Sequence, residues 1–302
     1  MDVPYLLTEL GYAAGQLLNQ YIETGDENRL NQVINALKGS VAYTYENKDY
    51  YKELRNYWLN KPNNRKFKIV GTDIEHQSSL ALLYLKQLSE NRSDEVSKQI
   101  LAKTNYNNKV KEDQDWATGL INKINQNIPV QDSIRLEELI FVLQNMVNAS
   151  EYYINNFDKD TRENAIWQNT KTLIAKNPNS KYFGQWGLSH VLQKSKRKTL
   201  VNFLQHDNNS PVKGKVLSIG LFYDNCEYIL ATGNKSKFNT ISYRNILDLA
   251  QSDLTFFRLT QNDSPFEKDL IFDFDDSNGG VTTDYFKYML LVKNSPSMNL
   301  IK

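Results

Sequence analysis

Three times along this chain a short apolar run ends near an ionisable residue where a helical pattern begins. VPYLL leads to Glu9 and then LGYAAGQLLNQYI; FKIVGT leads to Asp73, with His76 close behind, and then SSLALLYLKQL; KYFGQWG leads to His190. Strands alternating with helices require crossover connections, which make a sheet parallel. The expected fold class is therefore α/β, with a mostly parallel central sheet flanked by helices. In such a sheet the carboxyl ends of the strands share one edge, where ligands bind, so residues far apart in sequence face one crevice. The run before Glu9 has an interior strand's composition but begins almost at Met1, as though one strand were missing upstream.

Helical spacing is plain after Glu9, where Leu10, Ala13, Ala14, Leu17, Leu18, Tyr21 and Ile22 repeat at steps of three and four. Gly25 ends that helix and Asp26 caps the next, which carries Leu30, Val33, Ile34 and Leu37. A third helix is expected over Asp49 to Leu59. Ser78 or Ser79 is placed to cap the helix bearing Ala81, Tyr84, Leu85 and Leu88. From about 91 to 177 the pattern is helical throughout, with Leu136, Leu139, Ile140, Leu143 and Val147 as its clearest stripe, and this segment reads as a helical insertion. Beyond Pro211 the texture changes to KVLSIGLFY, CEYILAT, LTFFRL, LIFDF and YFKYMLLV, separated by turn-forming clusters, so the last third is strand-rich. Residues 1–302 are expected to form a single domain with this insertion.

Lys plus Arg total 36 against 35 for Asp plus Glu, with no long block of either sign, which argues against nucleic-acid and membrane partners and favours a small polar molecule. Oligomeric state has no readable signal. Cys226 is the one cysteine, which excludes an internal disulfide and a cysteine zinc cluster; beside strand residues it reads as a small buried hydrophobe. No apolar stretch approaches the roughly 20 residues that span a bilayer, and no signal peptide opens the chain. A cytoplasmic location is expected, with export open if the N-terminus is incomplete. There is no GxSxG, HExxH, Walker loop, GxGxxG or CxxC. Glu9, Asp73, His76 and His190 are metal-ligand types without metal-site spacing, so no metal and no cofactor is expected.

A carboxylate at a partly dry sheet edge costs several kcal/mol unless paired. Glu9 therefore needs a partner, and an Arg, a His or a helix N-terminus would serve. Duller roles remain open: Glu9 as a helix cap, Asp73 as a cap of its own loop, His76 as a surface residue, and His190 as structural.

Taken together, YLLTELGYAAGQLLNQYIETGD, FKIVGTDIEH and TRENAIWQNTKTLIAKNPNSKYFGQWGLSHV resemble the erythromycin esterase family, which includes proteins labelled as succinoglycan biosynthesis proteins and has an EreA/ChaN-like fold. The resemblance runs through most of the chain in order. Its most specific pieces are a strand glutamate, Glu9, before a helix with Asn19, Tyr21, Thr24 and Gly25, and a helix with Arg162, Glu163 and Asn169 leading to His190 and Val191. It implies that Glu9 matches a second-strand glutamate that assists catalysis and that His190 matches the last histidine of a Trp-Ala-His-Asn-x-His-Val stretch. Asp73, His76, Arg162 and Asn169 would bind substrate or support the site. The family's Gly-Glu-x-x-His-Gly motif, which supplies the water-activating histidine, is absent here, and the earlier histidine of the late motif is Gly187. The implied activity is hydrolysis of a small-molecule ester or lactone by base-assisted attack of water; the competing expectation is a binding protein that kept the fold and lost the chemistry. Antibiotic resistance is a family label and not a property these residues imply.

Overall fold

The computed structural model describes residues 3–126, 133–241, 244–261, 263–272 and 278–302. The chain divides into two compact units, Met1–Lys38 with Lys48–Gln185, and Gly39–Asn47 with Trp186–Lys302.

The first unit is built on three parallel strands, β1 (Tyr5–Gly11), β2 (Lys68–Asp73) and β3 (Tyr182–Gln185), in the order β2-β1-β3. Helices α1 (Tyr12–Thr24), α2 (Glu27–Ala36) and α3 (Tyr45–Leu59) connect β1 to β2. Five more, α4 (Ser78–Ser89), α5 (Glu95–Ala102), α6 (Lys111–Gln126), α7 (Ser133–Ile154) and α8 (Lys159–Lys176), lie between β2 and β3. Among the described residues from 91 to 177 the expected helical character is present, and the stripe of α7 is the reason. Leu136, Leu139, Leu143 and Val147 are buried among Leu85, Ile100, Leu120 and Ile124, with Ile140 packed against them. Each such side chain removed from water contributes about 1.5–3 kcal/mol.

The motif Asn19, Tyr21, Thr24 and Gly25 has a structural explanation. Asn19 accepts from the amide of Ile69 at 2.9 Å and donates to its carbonyl at 2.8 Å, fastening α1 to β2. Gly25 ends α1 with φ 77°, a left-handed conformation that favours glycine, and Asp26 caps α2 by accepting from the amide of Asn28. Two local expectations fail here. Leu10 belongs to β1 instead of the helix, because the strand runs on to Gly11. Neither Ser78 nor Ser79 caps α4: the cap position is Gln77, and Ser78 donates its hydroxyl to the carbonyl of Tyr106 at 2.8 Å.

The second unit contains α9 (Leu200–His206), β4 (Ile219–Asp224), β5 (Cys226–Ile229), β6 (Lys235–Phe238), β7 (Leu254–Arg258), α10 (Thr282–Tyr285) and β8 (Tyr288–Lys293). Its sheet has the order β4-β8-β7, with β4 parallel and β7 antiparallel to β8, while β5 and β6 pair as a separate antiparallel ribbon. Phe222, Phe272, Tyr285, Phe286 and Met289 pack in one core. Cys226 is buried, as its neighbours suggest. The expected LIFDF strand is not formed over 270–272, and its last two residues lie outside the described residues.

Candidate active site

The geometry around Glu9 begins with an irregularity in strand pairing. Thr8 pairs with Gly71 and Gly11 with Asp73, so β1 advances three residues while β2 advances two. The extra residue is a bulge at Glu9 and Leu10, a device that re-aims side chains. Glycine makes the tight corner feasible. A Cβ on Gly71 would lie 2.1 Å from the carbonyl oxygen of Gly11, and one on Gly15 would lie 2.7 Å from the amide nitrogen of Gly71.

Arg162, on α8, reaches this corner and binds both carboxylates. Its Nε donates to Asp73 Oδ1 at 3.0 Å, and its Nη2 donates to Glu9 Oε1 at 2.8 Å and also to Asp73 Oδ2. Asp73 is fully buried and additionally accepts from the amide of Ile74. Burial alone would raise its pKa; hydrogen bonds and charge from His76 and Arg162 outweigh that and hold the carboxyl well below the usual range. Burial also opposes the charge on Arg162, but Asp73 and then Glu9 raise its pKa, so the guanidinium stays charged. Glu9 thus has the partner that its position demands, and 32% of its side chain faces solvent.

Two further elements hold β2 in place. Asn169 of α8 donates to the carbonyl of Thr72 at 3.0 Å and to Asn145 Oδ1 at 2.7 Å, which joins α7, α8 and β2. Glu75 has no distinguishing sequence context, yet it is buried and accepts from the amide of Ala13 at 2.9 Å. It caps α1, whose own N-cap, Gly11, has no side chain for the purpose. Burial, aided by the charge of Asp73 and opposed by the amides of Ala13 and Tyr12, pushes Glu75 up to about 8.

His76 lies beside Asp73, with Nε2 3.4 Å from Asp73 Oδ2, and its Nδ1 is 2.8 Å from the hydroxyl of Tyr153 on α7. Tyr153 too lacks a readable signal, since the dipeptide YY inside a helix suggests only packing. Tyr152, Tyr153 and Phe157 surround the imidazole edge-on or one another at ring distances of 5.1–5.8 Å. The first unit therefore assembles Glu9, Asp73, His76, Arg162 and Asn169 around one strand edge. His190 belongs to the second unit, buried in a short 3-10 helix, Leu188–Val191, with its ring 5.6 Å from that of Trp186. Among the described residues no group of three or more His, Cys, Asp and Glu side chains is arranged to hold a metal ion.

No family model matches the sequence, and no curated protein matches it. Solved structures do match. A Bacillus cereus protein aligns at TM-score 0.64 and 14% identity over 99% of this chain and 83% of its own. A succinoglycan biosynthesis protein aligns at 0.66 and 14% over 100% of this chain and 82% of its own. A mutant of the erythromycin esterase EreC in its open conformation aligns at 0.65 and 11% over 100% of this chain and 84% of its own. The fold is that of the erythromycin esterases. At these identities the likeness is one of architecture, and it agrees with the α/β class and the resemblance read from the sequence. No helix among the described residues is long and apolar enough to cross a membrane.

Proposed function

We propose that this esterase-like fold carries a hydrolytic site that cleaves an ester or lactone of a small polar molecule by base-assisted attack of water. The observation that carries the proposal is the single guanidinium joining Glu9 to Asp73 at the ends of β1 and β2. Asp73 is buried and fixes Arg162; Arg162 in turn fixes Glu9, whose side chain is open enough to solvent to orient a water or tune a base. Residues 1–302 are taken as one erythromycin-esterase-like domain with 91–177 as its insertion, supported by neighbours that span 99–100% of the chain. His190 enters from its sequence match alone, as a second candidate catalytic residue.

The test is hydrolysis of p-nitrophenyl acetate, of a simple lactone and of erythromycin by the wild type, Glu9→Gln and His190→Asn. Turnover lost in Glu9→Gln with the fold intact is the expected result. Full activity in Glu9→Gln, or no hydrolysis of any of the three by the wild type, removes the proposal.

A further inference from the structure

An imidazole, that of His76, lies beside the Glu9–Arg162–Asp73 corner, with its Nε2 3.4 Å from Asp73 Oδ2. Asp73, ionised and held by Arg162, can only accept, so the imidazole nitrogen facing it, Nε2, carries the hydrogen. In a neutral imidazole Nδ1 is then an acceptor, and the hydroxyl of Tyr153, 2.8 Å away, donates to it. With the hydrogen on Nε2 the order runs carboxylate, imidazole, phenol. The side chain of His76 is 20% exposed and Tyr153 is half-buried, so the outer end of this chain is reachable from solvent.

Resting on the hydrolytic function proposed above, we infer that Tyr153, His76 and Asp73 form a proton relay in which His76 is the site's general base and Tyr153 its contact with water and substrate. An attacking water gives a proton to the Tyr153 oxygen as the phenol passes its own to His76 Nδ1. The water oxygen bonds to the carbonyl carbon, and the carbonyl π pair moves to its oxygen. The imidazolium so formed faces the charge of Asp73. On collapse the bond from carbon to the leaving oxygen breaks, His76 returns its proton to Tyr153, and the phenol's proton goes to the leaving alkoxide. No co-reactant is needed, and the relay ends as it began.

Burial, with the neighbouring Tyr152 and Asp73, raises the Tyr153 pKa against the pull of Arg162, which keeps the phenol protonated and able to donate. Other groups facing the relay are Glu9, through Arg162, and Lys109, 5.9 Å from the Tyr153 ring. The backbone carbonyl of His76 is held by Asn108, which anchors the loop.

The experiment pairs p-nitrophenyl acetate hydrolysis as a function of pH with nitrogen NMR of the His76 imidazole. His76→Gln and Tyr153→Phe are used, with folding checked by circular dichroism. The expected result is a fall in kcat of about 100-fold or more in His76→Gln at similar KM, with loss of the acidic limb of the profile. A smaller fall is expected in Tyr153→Phe. The wild-type imidazole should carry its proton on Nε2, with an Nδ1 hydrogen bond that disappears in Tyr153→Phe. Wild-type kcat in His76→Gln beside a dead Glu9→Gln overturns the relay and leaves the hydrolytic function standing. If the wild type hydrolyses no ester, the hydrolytic function fails and the general-base role of His76 fails with it; in an active wild type, the Nδ1–H form of the imidazole overturns the relay alone. Should His76→Gln not fold, Tyr153→Phe and the NMR readout still decide.

Discussion

Two carboxylates share Arg162, but they do not depend on it equally. Asp73 is fully buried, so removing its guanidinium leaves a buried carboxylate with only His76 and the Ile74 amide beside it, at a cost of about 3–5 kcal/mol. Glu9 keeps about a third of its side chain in water, where an ion pair is worth no more than about 1 kcal/mol. Arg162→Ala is therefore expected to lower unfolding free energy in urea by about 3–5 kcal/mol, and Glu9→Gln by about 1 kcal/mol or less while it loses activity. Comparable losses in the two variants would mean that Glu9 is structural. Only part of this is readable from the sequence. Glu9 needs a partner, but Arg162 lies 153 residues away, and no spacing rule connects them. Glu75 is harder still, because the helix terminus that explains its burial lies 62 residues upstream.

Elements announce themselves when one face is apolar over several turns, which is why α1, α2 and α7 are legible. β6 is not, since Lys235–Phe238 is a short, wholly exposed strand without apolar alternation. The bulge in β1 also leaves no trace, for it is set by how α1 and β2 meet. Glycines at that meeting offer a direct probe. With a Cβ 2.1 Å from the Gly11 carbonyl oxygen, Gly71→Ala would force β1 and β2 apart and shift Glu9 relative to Asp73. A destabilisation of about 1–3 kcal/mol and a drop in esterase activity are expected, both read from one preparation. Gly119, inside α6, has nothing within 4 Å of where an alanine methyl would sit, and there alanine should stabilise by about 0.5–1 kcal/mol. If both substitutions behave alike, close backbone approach does not set the corner.

At the scale of the whole molecule, two buried acids of the first unit, Asp73 and Glu75, give stability opposite slopes with pH. Asp73 has a depressed folded pKa, so its contribution is present above 3.8 and is lost as the pH falls through the lower folded value. Glu75 is raised from 4.5 to about 8, so the folded chain holds that proton more tightly than the unfolded one. Its contribution is complete below 4.5 and is lost as the pH rises toward about 8. Glu75→Gln keeps a carbonyl oxygen for the amide of Ala13 and has no proton to lose, so its urea midpoint should decline less than that of the wild type between pH 5 and pH 8. Both acids lie in Met1–Lys38 with Lys48–Gln185, so if the two units unfold separately the slope belongs to the first alone. Parallel pH profiles for wild type and Glu75→Gln would show that the cap on α1 holds without its proton, and that ionised Glu75 is accommodated by the amides of Tyr12 and Ala13.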